Sequence, residues 1–204
     1  MTSAKGNVFI ISAASGTGKT TLVSRLTAHN PQIRVSISHT TREPRDNEQH
    51  GKHYYFTTRE HFTELVGQGA FLEHAEVFGN LYGTSAAAVQ EMREQGFDVI
   101  LEIDVQGAEQ VRKALPDAVS IFILPPSLAV LKQRLRNRQT DSEEVIARRL
   151  SEAEQEIRYA FAFDYVVINN DLVQAESDLL HIFKAQRLSL RNQTLNVEKI
   201  LQNL

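Results

Sequence analysis

The residues Ala13, Ala14, Ser15, Gly16, Thr17, Gly18, Lys19 and Thr20 follow directly on the apolar run Val8-Phe9-Ile10-Ile11. A buried strand that feeds a glycine-bearing turn, then Lys-Thr, then a helical pattern, leaves a chain few folds to choose from. Backbone N–H groups of such a turn and of the first helical turn converge on one small volume, which the helix dipole makes favourable for an anion. Gly16 and Gly18 can take positive φ and let the backbone approach phosphate oxygens. Lys19 can reach the outer phosphates, and the Thr20 hydroxyl is placed to hold Mg²⁺. Leu22, Val23 and Leu26, with the Asn30-Pro31 stop, mark the helix that follows. Ala13 stands where glycine is commoner, a change that negative φ tolerates. The pattern predicts a nucleoside triphosphate site.

Strand-like and helix-like stretches alternate along the chain. Short apolar runs at 8–11, 35–38, 99–103, 119–124 and 165–168 are spaced by helical periodicity at 19–29, 105–114, 128–136, 143–159 and 172–190. This alternation predicts an α/β fold, a doubly wound parallel sheet whose ligand sits at the carboxyl ends of the strands. Two stretches break the pattern. Residues 38–84 hold shorter strands (53–56 and 71–77) and one small helix (60–66), the pattern of an inserted mixed α/β lobe. Residues 125–160 are almost wholly helical and rich in arginine, the pattern of a lid. The core is then expected from 1–37, 85–124 and 161–204. A core with a lobe and a lid suggests two ligands and a closing motion.

Composition narrows the function classes. The 204 residues are 42% hydrophobic and 23% charged, with a net charge of −3. No bulk basic field is available to hold nucleic acid. The absence of cysteine excludes disulfides, thiolate metal sites and cysteine catalysis. The first residues carry no signal-peptide core, and no apolar run approaches membrane-spanning length. A cytoplasmic chain with no membrane partner is expected.

The lobe opens on Ser38-His39-Thr40-Thr41-Arg42-Glu43-Pro44-Arg45. Its two guanidinium groups, three residues apart about a stiffening proline, can fork onto the oxygens of a monophosphate. In isolation the segment also reads as solvated surface charge. It is followed by Gly51-Lys52-His53-Tyr54-Tyr55-Phe56 and Phe78-Gly79-Asn80-Leu81-Tyr82-Gly83-Thr84-Ser85. Together with the phosphate loop, I-L-E-I-D-V-Q-G, I-F-I-L-P-P-S, D-S-E-E-V-I-A-R-R-L and Y-V-V-I-N-N-D, these segments run in order through nearly the whole length. On them the chain resembles the guanylate kinases of bacterial type.

The resemblance implies ATP- and Mg²⁺-dependent transfer of a phosphoryl group to GMP, giving GDP and ADP. It assigns Arg42, Arg45, Tyr54 and Tyr82 to the GMP phosphate, and Ser38, Glu73, Thr84 and Asp104 to the guanine. Residue chemistry agrees: guanine presents N1–H and an exocyclic amine as adjacent donors, which one carboxylate accepts together. Adenine would leave that carboxylate unpaired. Outside the resemblance, Glu73 reads as a surface acid and Asp104 as a strand-end cap. Glu102 stands where the family usually has aspartate, and could support the metal through water.

The lid contributes Arg134, Arg138 and Arg149, which the resemblance folds over the ATP phosphates, with Lys19 and Arg42 completing the catalytic set. Arg136 and Arg148 fit exposed Arg–Glu pairs instead. Gln139 replaces a glycine common in the family. Asn169, at the end of the last strand, is implied near the adenine and reads as well as a turn residue. Leu195, Ile200, Leu201 and Leu204 sit at near-helical spacing, for docking on the core or for a homo-oligomer contact. Two rival functions share the fold signals: a non-catalytic protein-binding module, against which Lys19 and Thr20 speak, and a kinase for another phosphorylated acceptor, which would need no acid such as Glu73.

Overall fold

The structure, a computed structural model, describes residues 5–77, 79–137 and 142–202. Five parallel strands form the central sheet in the order β2-β7-β1-β8-β9, with β1 Val8–Ala13, β2 Ile33–Val35, β7 Asp98–Glu102, β8 Val119–Leu124 and β9 Tyr165–Ile168. Because the side-chain period of a strand is two, alternate residues build two separate cores. Phe9, Ile11, Ile100, Ile121 and Ile123 face α1 (Lys19–His29) and α7 (Leu172–Arg187), where Phe9 stacks on Phe183 with ring centroids 3.6 Å apart. Val8, Ile10, Val99 and Leu101 face the other way, against Val89 of α3 (Ala86–Glu94) and Ala108 and Val111 of α4 (Val105–Ala114). Helices on both faces of a parallel sheet make this a doubly wound α/β fold.

A second sheet, ordered β4-β3-β6-β5, is mostly antiparallel and comprises β3 His39–Thr40, β4 Tyr55–Phe56, β5 Phe71–Val77 and β6 Asn80–Ser85. The helix α2 (Arg59–Gly67) inserts Phe62, fully buried, beneath it. The chain crosses between the sheets sooner than the apolar run at 35–38 suggests. Ser36 N–H donates to Ile100 O at 2.9 Å as the last bond to β7, and His39 already pairs with Gly83. The core strand therefore ends at Val35, with Ile33 as its buried anchor.

Two further helices, α5 (Leu128–Arg136) and α6 (Glu143–Arg158), pack beside the end of β1. Leu131, Leu135, Ile146 and Ala153 enclose Ala14. The long periodicity at 172–190 breaks after Arg187, and a separate helix α8 (Leu190–Gln202) follows. No residue of α8 is fully buried, and Leu190, Leu195, Ile200 and Leu201 are exposed. Among the described residues no helix is long and apolar enough to cross a membrane.

Candidate active site

The turn after Ala13 carries Gly16 at φ 88° and Gly18 at φ 91°, a left-handed geometry that other residues adopt only under strain. Six helices, α2 to α7, begin on Thr58, Ser85, Asp104, Ser127, Ser142 and Asp171, each side chain accepting a backbone N–H. Helix α1 begins on Gly18 and has no such side-chain cap. Its first-turn N–H groups and its dipole are thus offered to an external anion. Lys19 follows at once. Burial lowers its pKa, and the carboxylates of Glu102, Asp104 and Glu156 push it back up. Thr20 is exposed in the same turn.

The loop is braced from below. Asn169, 5% exposed at the end of β9, donates its amide to Thr17 O at 2.8 Å. A Cβ on Gly18 would lie 2.6 Å from that amide nitrogen, so the glycine is required by contact as well as by φ. Arg134 of α5 donates to Thr17 O at 3.2 Å and to Asn169 O at 2.9 Å. These two residues therefore act on the backbone of the loop itself. From α6, Arg149 donates to Ser15 Oγ at 3.3 Å, and the Glu156 carboxylate accepts from Ser15 N–H at 3.3 Å. Arg149 and Glu156 are seven apart, two turns along one helix face. Sequence reasoning took the arginine and passed over Glu156, for which that spacing is the available signal. Arg136 pairs with Glu143 and Arg148 with Glu152 at the surface, and Arg138 lies outside the described residues.

On the second sheet the Arg42 guanidinium donates to both carboxylate oxygens of Glu48 at 2.8 Å, which holds the Glu48 carboxyl below its usual range. Glu48, three residues beyond Arg45, also accepts the Arg45 backbone N–H at 2.9 Å. It is the second residue that sequence reasoning missed. The Arg42 guanidinium lies 5.5 Å from the centre of the Tyr54 ring, and the Tyr54 and Tyr82 rings meet edge to face at 6.0 Å. Burial pushes the Tyr54 hydroxyl up. Arg42, Tyr54 and Tyr82 are thus one cluster of cationic and hydroxyl donors, beside which the Arg45 side chain is exposed to solvent.

Glu73 of β5 is 4% exposed, and Thr84 of β6 donates its hydroxyl to it at 2.6 Å. Burial, helped by the nearby Asp104 carboxylate, raises the Glu73 carboxyl to about 7, against the Thr84 hydrogen bond. Asp104 caps α4 by accepting Gly107 N–H at 2.8 Å. The strand-end cap and the acid facing Glu73 are therefore the same residue. Ser38 lies between β2 and β3, its carbonyl accepting Tyr55 N–H at 2.9 Å. The buried Glu73 side chain thus lies against the first turn of α4, with one carboxyl oxygen on Thr84 and the other beside Gly107.

A guanylate kinase family model matches residues 5–186. The chain belongs to the guanylate kinase family. It is 60% identical over 199 residues to the guanylate kinase of Neisseria gonorrhoeae, covering 98% of this chain and 97% of that one. The guanylate kinase of Pseudomonas fluorescens is 52% identical over 204 residues, covering 100% and 99%. Among solved structures, the guanylate kinase of Anaplasma phagocytophilum superposes with a TM-score of 0.75 at 34% identity, covering 93% of this chain and 90% of that one.

Within this member of the family, no three His, Cys, Asp or Glu side chains among the described residues converge as a metal cage. The direct donor offered is one hydroxyl, Thr20, and the Glu102 carboxylate, at the end of the adjoining strand β7, could support the ion only through water. That set fits Mg²⁺, which keeps several waters and is held largely by substrate phosphates, and does not suit an ion needing a full protein cage.

Proposed function

We propose that this chain is an ATP:GMP phosphotransferase, moving the γ-phosphoryl group of ATP to GMP to give ADP and GDP. The observation that carries the reading is the buried Glu73 carboxylate, held by Thr84, in a chain that also presents an uncapped glycine-rich helix start with Lys19. A desolvated carboxylate is costly unless a ligand brings donors to it. Guanine does so through N1–H and its 2-amine, whereas adenine leaves it unpaired.

ATP binds with its phosphates on Ala13, Ala14, Ser15, Gly16, Thr17, Gly18, Lys19 and Thr20; Thr20 together with water would hold Mg²⁺, which would supply neutralisation of phosphate charge when bound. The lobe 38–84 takes GMP, its base on Ser38, Glu73, Thr84 and Asp104 and its phosphate on Arg42, Arg45, Tyr54 and Tyr82. The core of 1–37, 85–124 and 161–204 carries the ATP loop, and the lid of 125–160 brings Arg134, Arg138 and Arg149 to it. Asn169 acts beneath the loop. Lys19 and the arginines stabilise charge on the transferred group and exclude water, so catalysis is positioning with charge neutralisation.

The test is ADP release with ATP and Mg²⁺ across GMP, AMP, UMP and CMP. Turnover with GMP at least about a hundred-fold above the others is expected from the unpaired-carboxylate penalty. Comparable turnover with AMP would refute the Glu73 pocket. Turnover with none would refute the reaction.

A further inference from the structure

Strand β5, which carries Glu73, lies at the edge of its sheet, paired with β6 on one side only. An edge strand leaves backbone N–H and C=O groups without a ladder partner. At His74, the residue next to Glu73, both groups are nevertheless satisfied. Gln110 of α4 accepts His74 N–H with Oε1 at 3.2 Å and donates Nε2 to His74 O at 2.9 Å. A primary amide has one acceptor and one donor side, the same pair a neighbouring strand would offer. Gln110 is therefore a one-residue substitute strand, supplied by a helix of the central fold to the sheet that holds Glu73.

One turn earlier on the same helix face, Gly107 has no side chain and abuts the Glu73 carboxylate. A Cβ there would stand 2.8 Å from Glu73 Oε2 and 3.2 Å from its carboxyl carbon. Relief to ordinary contact would move that oxygen by about 0.6 Å, since contact begins near 3.4 Å. The far oxygen is already tied, because Oε1 accepts the Thr84 hydroxyl at 2.6 Å. Gly107 N–H meanwhile donates to Asp104 at 2.8 Å. Helix α4 thus touches the acid pair in three ways: Asp104 caps it, Gly107 backs Glu73, and Gln110 fixes the strand beside Glu73.

We propose that Gly107 and Gln110 are positioning residues for base recognition, setting the Glu73 carboxylate where it accepts two parallel donors from the purine. The inference rests on the assignment of Glu73 to guanine made above. Two adjacent N–H···O bonds weaken steeply with misplacement, so a displacement of a few tenths of an ångström at Oε2 falls on GMP and leaves ATP untouched.

The test uses Gln110→Met, which keeps length and packing but removes both hydrogen bonds, and Gly107→Ala. Steady-state constants would be measured for GMP, for ATP and for IMP, which keeps N1–H and lacks the 2-amine. Each variant is expected to raise KM for GMP about ten-fold and to shrink the preference for GMP over IMP several-fold. KM for ATP and kcat at saturating GMP stay within about two-fold, since nothing on the ATP side has moved. A Gly107 that mattered only for packing would give a Gly107→Ala variant of lowered Tm whose KM for GMP and GMP-over-IMP preference stayed those of wild type. Glu109→Ala, on the exposed face between the two residues, is the neutral control. An unchanged KM for GMP in both variants, or KM values for GMP and ATP rising in step, would overturn the proposal while leaving the phosphotransferase assignment intact. A wild-type chain that turns over no GMP would overturn both.

Discussion

Burial lifts the Glu73 carboxyl to about 7, above its ordinary value of 4.5. Between those pH values the folded chain keeps a proton that the unfolded chain has released. Glu73 therefore costs stability progressively as pH rises from about 4.5 to 7, and the cost stays in place above that. Glutamine at this position carries no charge and still accepts the Thr84 hydroxyl. Glu73→Gln is expected to raise the stability of the unliganded protein at pH 8 by on the order of 2–3 kcal/mol. That corresponds to roughly 5–10 °C in Tm for a chain of this size, and the gain should vanish near pH 4.5. The same substitution should raise KM for GMP about a hundred-fold, because the amide turns a donor toward guanine's donors. Wild-type KM for GMP should climb as pH falls below about 7, with KM for ATP flat over that interval. Thermal melts of both forms at pH 5 and pH 8, beside pH profiles of the two KM values, check each part. A Tm difference that ignores pH would show that Glu73 is ionised throughout.

At the scale of elements, α5 and α6 are joined to the phosphate loop by apolar packing as well as by arginines. Leu135 and Leu131 lie so close to Gly16 that a Cβ there would meet their methyl carbons at 2.9 and 3.1 Å. Leu135→Ala removes a fully buried side chain from the cluster around Ala14 and is expected to destabilise it by about 2–4 kcal/mol. With α5 loosened, Arg134 no longer holds Thr17 O. KM for ATP should then rise about ten-fold with KM for GMP little changed, and equal rises in both would disconnect α5 from the loop. How far such elements could be read in advance depends on what made them. The helices 19–29, 105–114 and 128–136 coincide with the observed α1, α4 and α5, each announced by a strong 3.6 period and a cap or stop residue. Strands β3 and β6 and helix α3 had no such mark. Two residues of β3 show no period, and β6 reads N-L-Y-G-T-S, whose Asn and Gly argue for a turn. They are strands because β5 and the chain crossing at Ser36 bring partners to them. The phosphate loop was legible because its chemistry is local. The hold of Arg149 and Glu156 on Ser15 and the brace at Asn169 depend on contacts distant in sequence, up to Asn169 on Thr17, 152 residues away, while the Arg42–Glu48 fork, only six residues apart, lies in a loop with no period to mark it.

Across the whole molecule, the proposed ligand residues and a buried anchoring network sit at opposite ends of one sheet's strands. The loop after Ala13, the acids at Glu102 and Asp104 and the brace at Asn169 all lie at or just beyond the carboxyl ends of β1, β7 and β9. At the other end Asp98 opens β7 and is 1% exposed. It accepts Asn7 N–H and the Asn7 amide at 3.0 Å each, and Arg187 Nε at 2.6 Å. Asn192 of α8 extends this network by donating to Asn7 Oδ1 at 2.8 Å. The network ties the starts of β1 and β7 to the end of α7 and the start of α8, about 15 Å from the carboxyl ends of the strands by the rise of a five-residue strand. Asp98→Ala would leave three donors without their acceptor, two of them in the buried interior. A loss of about 3 kcal/mol or more is expected, or roughly 6–12 °C in Tm. Strands hydrogen-bonded on both sides transmit little of that to their far ends while the fold holds. At a temperature well below the melt, kcat and both KM values of the variant should therefore stay within about two-fold of wild type, since the altered site shares no partner with either ligand site. Thermal melts paired with kinetics on the same sample decide it. A KM that rose for one substrate alone would show that the anchoring end helps shape that substrate's site.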